Sequence, residues 1–311
     1  MQNNLLNFAN IFNVSYKNVK ALLMAMVLTL LLLLVSIPIQ ARPEYIVGLT
    51  EQGIRLASVE QIEVGFNYEL EKMGKNKDYL LKIKVYPSIE PLTKLLMEHK
   101  IQGYFGAPVM VIKNAKEFNS NLLFSPEIGN KAMQRYVILV RKDQGLDQFA
   151  KLKNTAISYC TVDEVGVLYL QKLLQDKSLG GQESFFSKML VKKNPSLAIS
   201  AVFFKETAAA LVIENDFKVA AELNPQLNSQ LEVIETSPEY ITNLLALTNT
   251  IEGPVTTAEL VTSVLGLGNA IKSKKLMQSY NYGAMRKVKF EDLNSVRDLV
   301  ESINKNNGKS K

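Results

Sequence analysis

From residue 45 onward, short apolar runs alternate with longer amphipathic stretches. "YIVGLT" (45–50), "LLKIKVYPS" (80–88), "QGYFGAPV" (102–109), "RYVILVRK" (135–142), "TAISYC" (155–160), "KMLVKK" (188–193), "TAAALVI" (207–213) and "LEVIETS" (231–237) have the length and the β-branched or aromatic content of strands. Helix-length segments separate most of them. That alternation predicts an α/β chain of mostly parallel sheets with crossover helices on their faces. "TAAALVI" is apolar throughout, the pattern of a strand covered on both sides.

Helix boundaries are written in the same pattern. In "KKNPSLAISAVFFKE" Asn194 is placed to cap a helix, and Pro195 sits at its first position, where the missing N–H costs nothing. In "CTVDEV" Thr161 and Glu164 have the spacing of a capping box. The helix that follows ends at "SLGGQ", where Gly180 and Gly181 can adopt the left-handed conformation.

Residues 1–41 stand apart. They contain no Asp or Glu, carry Lys17 and Lys20, run through "ALLMAMVLTLLLLLVSI", and reach Ala41 after Pro38 and Gln40. A basic flank, an apolar core and a small residue at the end describe a secretory signal peptide cleaved before Arg42. The alternative is an uncleaved membrane anchor, because the apolar run approaches bilayer-spanning length. Either reading sends the rest of the chain outward, as a periplasmic or an inner-membrane-anchored protein.

Composition narrows the class. A chain of 311 residues with 47% hydrophobic content is long enough to bury a large core or two smaller ones. Its formal charge is +6, and removing residues 1–41 takes away two lysines and no acids, leaving +4. The basic residues are interspersed with acidic ones, the pattern of a solvated surface and not of a nucleic-acid footprint. Cys160 is the one cysteine, so no internal disulfide forms, and it reads as a buried thiol at a strand end.

Longer segments carry a family resemblance. "IEPLTKLLMEHKIQGYFGAPV", "VRKDQGLDQFAKLKNTAISY", "AISAVFFKETAAALVIENDFKVAAELNPQLNSQLEVIETSPEYI" and, weakly, "VKFEDLNSVRDLVESI" resemble the phosphate/phosphonate-binding component family of ABC transporters, of the type II periplasmic binding protein fold. The resemblance implies two α/β lobes, the first built from residues 42–140 and 239–311 and the second from 141–238. The chain would cross between them near 138–144 and 234–240. Ligands in such a fold sit beyond the carboxyl ends of the strands, at the facing lobe edges, and hinge closure traps them.

The family's anion site uses a Ser-Thr-Ser run at a helix N-terminus, where free N–H groups and the helix dipole favour a phosphate-like group. Here that run falls on Asp163, Glu164 and Val165, just before Gly166. A family His falls on Pro195, an Asp on Ala208, and a Tyr on Met110. Two carboxylates beside a dianion oppose it, by roughly 1 kcal/mol each even in water. The phosphonate chemistry is therefore not expected to carry over. Asp163 and Glu164 read either as ligands for a cationic or hydroxyl-rich molecule or as helix caps; Tyr86 and Tyr104 read either as stacking surfaces beside the cleft or as half-buried strand packing.

Enzyme signatures are missing from the sequence. His99 is the one histidine, at a helix end that suits a surface imidazole, and there is no G-x-S-x-G elbow, P-loop or metal-spaced His/Cys cluster. "GLGNA" (266–270) lacks the third glycine of a dinucleotide fingerprint. The expectation is a monomeric periplasmic solute-binding protein without catalytic activity, cofactor, metal or nucleic-acid partner. It captures a small molecule other than a phosphonate, with Tyr86, Tyr104, Met110, Thr161, Asp163 and Glu164 as candidate ligand-binding residues, and delivers it to an inner-membrane ABC permease. The alternative is a non-transport protein in which the fold is kept but the pocket is degenerate, partnering a membrane sensor.

Overall fold

In the computed structural model the described residues are 23, 24, 26, 42–51, 59–160, 164–251, 253, 255–266 and 282–308. The rest of the N-terminal segment 1–41, Thr161, Asp163 and the "LGNA" part of the glycine motif therefore lie outside them. Residues Pro43–Lys311 form one compact unit. Along it run β1 (Glu44–Thr50), α1 (Val59–Met73), β2 (Leu80–Tyr86), α2 (Ile89–Met97), β3 (Gly103–Gly106), α3 (Pro108–Lys113), β4 (Phe118–Pro126) and β5 (Met133–Gln134). Next come β6 (Tyr136–Arg141), β7 (Ala156–Cys160), α4 (Glu164–Asp176), α5 (Gln182–Phe185), β8 (Lys188–Lys192), α6 (Pro195–Phe203), β9 (Ala209–Ile213), α7 (Glu214–Leu223), α8 (Pro225–Gln230) and β10 (Leu231–Thr236). The chain closes with β11 (Tyr240–Ile241), β12 (Leu244–Thr248), α9 (Thr257–Gly266), β13 (Met285–Val288) and α10 (Asn294–Gly308).

Apart from β5 and β11, the strands form two sheets, one per lobe. The first has the order β13-β4-β12-β3-β1-β2 and the second β10-β6-β9-β7-β8. Both are mixed and not mostly parallel. Only β3-β1-β2 and β9-β7-β8 run parallel, where helices make the crossovers. The antiparallel members include β6 and β12, the strands that receive the chain just after it changes sheet.

Alternation within the second sheet explains why β9 is apolar at every position. Ala209, Leu211 and Ile213 enter the main core together with Val165 and Leu170 of α4. Ala210 and Val212 enter a separate core with Ala198, Ile199 and Val202 of α6. Successive side chains face opposite sides of a strand, so helices on both faces require an unbroken apolar run. β6 divides in the same way, Ile138 and Val140 to one face and Val137 and Leu139 to the other. Each such buried aliphatic side chain contributes about 1.5–3 kcal/mol.

Because β6 pairs with β9 and β10, the chain has already changed sheets before Tyr136, upstream of the 138–144 crossing that the family resemblance implies. The two crossing segments meet as a small antiparallel ribbon, β5 with β11. Side chains fix it: Gln134 Nε2 donates to the carbonyls of Ile128 (2.8 Å) and Lys131 (2.7 Å), and Tyr136 N donates to Ser237 Oγ at 2.9 Å. Ser237 N returns a bond to Tyr136 O at 2.8 Å. The C-terminal helix α10 touches α3 of the first lobe and α4 of the second, so it also spans the junction.

Helix ends follow the sequence at α6, where Asn194 Oδ1 accepts from Leu197 N at 2.9 Å with Pro195 at the first position. At the end of α4, Ser178 takes the left-handed conformation (φ 55°) and Leu179 N donates to Leu174 O at 2.9 Å. Gly180 is left-handed as well (φ 87°), but Gly181 is extended (φ −88°) because it caps α5. His99 is exposed and left-handed just after α2, where Lys100 N donates to Leu95 O. Cys160 is fully buried at the end of β7.

Candidate functional site

A cavity of about 670 Å³ opens between the lobes. It lies at the carboxyl ends of parallel strands: Thr50 ends β1, Tyr104 and Gly106 close β3, Tyr159 is next to last in β7, and Val191 holds the same place in β8. Helix starts and short turns leave the sheets there, so side chains of two sheets converge without disturbing either core. The first lobe adds Thr93 of α2 and Met110, Lys113 and Asn114 from α3 and its end. The second adds Glu164, Val167 and Leu168 from the first turns of α4. Asn243 arrives on the return segment before β12.

The first-lobe wall depends on a Gly-Ala-Pro turn. A Cβ at Gly106 would lie 2.2 Å from Tyr104 Oη, so only glycine lets the Tyr104 side chain fold back there. The hydroxyl then donates to Ala107 O at 3.2 Å. Tyr104 is buried, and burial together with the negative charge of Glu164 pushes its phenol well above the ordinary range. Pro108 starts α3, and its short course brings Val109, Met110 and Lys113 to the cavity at helical spacing.

Glu164 begins α4 on the opposite wall. Its side chain is open to the water of the cavity yet enclosed by protein beyond it. That enclosure raises the carboxyl above its ordinary value, and the charge of Lys113 offsets part of the effect. Among the described residues Glu164 makes no side-chain hydrogen bond or ion pair, and neither does Lys113. Gly166, one turn-step on, lets α4 lie close over β6: a Cβ there would be 2.6 Å from the Tyr136 ring.

The candidates read from the sequence therefore divide. Tyr104, Met110 and Glu164 share the cavity wall. Tyr86 does not line it; the ring is buried against the Gly48 and Leu92 side of the first sheet, with burial raising its phenol. Thr161 and Asp163 are outside the described residues, and with Thr161 so is the capping box. Pro195 and Ala208, the positions of two further family ligands, are not on the wall. Sequence reasoning passed over Lys113, Tyr159 and Asn243. Lys113 carried a usable signal, since it lies one turn beyond Met110 on the same helix face. Asn243 carried none, because its place depends on a long-range return across the lobes.

The comparisons agree with this architecture. Residues 58–293 match the family model described as ABC transporter, phosphonate, periplasmic substrate-binding protein. No curated protein matches the chain in sequence. Among solved structures, PhnD1 from Prochlorococcus marinus (MIT 9301) in complex with methylphosphonate is 17% identical, with 85% of this chain and 99% of that one covered at a TM-score of 0.60. A binding protein component of an ABC phosphonate transporter from Pseudomonas aeruginosa is 14% identical, with 85% and 87% covered and a TM-score of 0.58. A Xanthomonas citri protein bound to ATP is 10% identical, with 84% and 97% covered and a TM-score of 0.60. With the match extending across both lobes, the chain belongs to the phosphonate-binding family of periplasmic substrate-binding proteins of ABC transporters, whose members bind small molecules for a membrane permease and are not enzymes.

Proposed function

We propose that the protein captures a small molecule bearing a cationic group in the interlobe cavity and presents it to an inner-membrane ABC permease, and that this molecule is not a phosphonate dianion. The observation that supports this reading is Glu164. It stands at the first turn of α4, on the cavity wall and without a partner among the described residues, where the family resemblance calls for hydroxyls. A dianion at that position meets a carboxylate in a partly enclosed site, whereas an ammonium group gains a charge-assisted contact.

Thermal unfolding against amines, amino acids, sugars, phosphate and methylphosphonate tests it. A ligand at roughly 100-fold its dissociation constant adds about 2.7 kcal/mol, which a melting experiment detects easily. Amine-bearing compounds are expected to raise the transition. A response to methylphosphonate with none to amines overturns the proposal. The protein acts as a monomer after cleavage before Arg42, so mass spectrometry of the exported form should find Arg42 at its N-terminus.

A further inference from the structure

Among the described residues, Lys113 and Glu164 are the two charged residues on the cavity wall, and they come from different lobes. Lys113 ends α3 in the first lobe and Glu164 starts α4 in the second. Each is without an ion-pair partner among the described residues. The described wall thus carries one positive charge from the first lobe and one negative charge from the second, and it is lined beside them by apolar side chains such as Val109, Met110, Val167 and Leu168.

We propose that the cavity selects a zwitterion with separated charges and an aliphatic spacer, the cationic end held at Glu164 and the anionic end at Lys113. This rests on the function proposed above and narrows it.

The argument is one of charge balance on closure. When the lobes approach, water leaves the cavity and every unpaired charge inside loses hydration that must be replaced by an opposite charge. A pure cation pairs with Glu164 but leaves Lys113 opposed. A pure anion pairs with Lys113 and leaves Glu164 opposed. An uncharged solute leaves both without a counter-charge. A molecule with both charges satisfies both walls and is the ligand whose two ends pull the lobes together. Because the charges come from different lobes, the fit is to a ligand that presents one charge to each wall, as an ω-amino acid does. The apolar residues lining the same cavity match a methylene chain.

Matched skeletons test this by calorimetry on the purified protein: 5-aminovalerate carries both charges, pentylamine only the positive one and pentanoate only the negative one. Aminovalerate is expected to bind at least about tenfold more tightly than either. Glu164→Gln should bring it down to the level of pentanoate, Lys113→Met to the level of pentylamine, and Lys113→Arg should retain most of the affinity. Both residues are exposed, so these variants should fold; a cooperative melting transition of each unliganded variant checks that. Pentylamine binding as tightly as aminovalerate, with Lys113→Met without effect, overturns the zwitterion inference and leaves the cationic-ligand reading standing. Preference for pentanoate or methylphosphonate overturns both. Failure of all three five-carbon compounds to bind overturns the inference, and the amine panel then decides the broader reading separately.

Discussion

Replacing Gly166 with alanine tests whether the second-lobe wall is built by close helix-to-strand contact. A Cβ at residue 166 would lie 2.6 Å from Tyr136 Cε1, 2.8 Å from Cδ1 and 3.1 Å from Cζ. Carbon atoms pack best at about 3.5–4.0 Å, so the start of α4 or the Tyr136 ring must move by about 1 Å. The ring has little room: Tyr136 is 1% exposed, and its backbone is tied on both sides to Ser237. Overpacking of this kind costs about 1–3 kcal/mol. Alanine returns at most about 1 kcal/mol through its better helix propensity, less in a first turn. The expected net loss is about 1–2 kcal/mol, read as a lower urea midpoint at unchanged slope. The double variant Gly166→Ala, Tyr136→Leu should lose less than the sum of the two single changes, since leucine leaves space for the methyl group. A midpoint for Gly166→Ala at or above that of the parent, or strict additivity with Tyr136→Leu, would refute the close-contact account.

Two further outcomes follow from groups on the same wall and at the crossing. Ser237→Ala removes the acceptor of the buried Tyr136 N–H and is expected to cost about 1–3 kcal/mol in urea unfolding; an unchanged midpoint would mean that the crossing does not depend on this bond. Glu164 is held above its ordinary value of 4.5 by burial, with Lys113 offsetting part of it, so the folded state holds its proton more tightly than the unfolded chain does. Stability is therefore greatest below that ordinary value and falls as pH rises through the folded value. Glu164→Gln should abolish the fall, making the unliganded protein more stable than the parent at neutral pH and equal to it in acid. Tyr104 and Tyr159, which share the wall, are shifted upward and away from this interval. A variant that is less stable at neutral pH would contradict the sign.

The eight strands read from hydrophobic pattern all form, because each is a compact run whose burial on one or two faces leaves a clear signature. β4, β12 and β13 went unread. In β4 Phe118 is buried, Ser120 and Asn121 are exposed and Leu123 to Pro126 are all buried, so its first half carries no alternation and its second half is continuous. β12 is the wholly buried run Leu244–Thr248, which periodicity alone does not separate from a helix segment. Strands of this kind are identified by their partners, and those partners, Phe105 and Phe124 among them, lie more than a hundred residues away. The same limit governs the site. Tyr104, Met110 and Glu164 were legible because local motifs, a Gly-Ala-Pro turn and a strand-to-helix start, announce them. Tyr86 has the same strand-end appearance as Tyr104, but β2 is the edge strand beside β1, and its last residue turns into the core beneath α2 and not toward the cleft.

The family fold is compatible with the site chemistry proposed above because the two are set by different residues. The lobes are held by the two-faced burial of strands such as β6 and β9, and none of those side chains reaches the cavity. The close approach of α4 to Tyr136 depends on glycine at residue 166. The helix dipole at the first turn of α4 favours a carboxylate and offsets part of its burial cost, so a carboxylate is accommodated there without rearrangement of the fold. On the proposed reading, what differs is the sign of the charge offered to a ligand. Lys113 on the facing wall offsets part of the burial cost of Glu164 from across the cavity without pairing with it, which leaves both charges available to a bound molecule. A wall in which the two had closed into an ion pair would have offered a ligand neither; on the proposed reading, the absence of such a pair among the described residues is what fits the cavity to a charged guest.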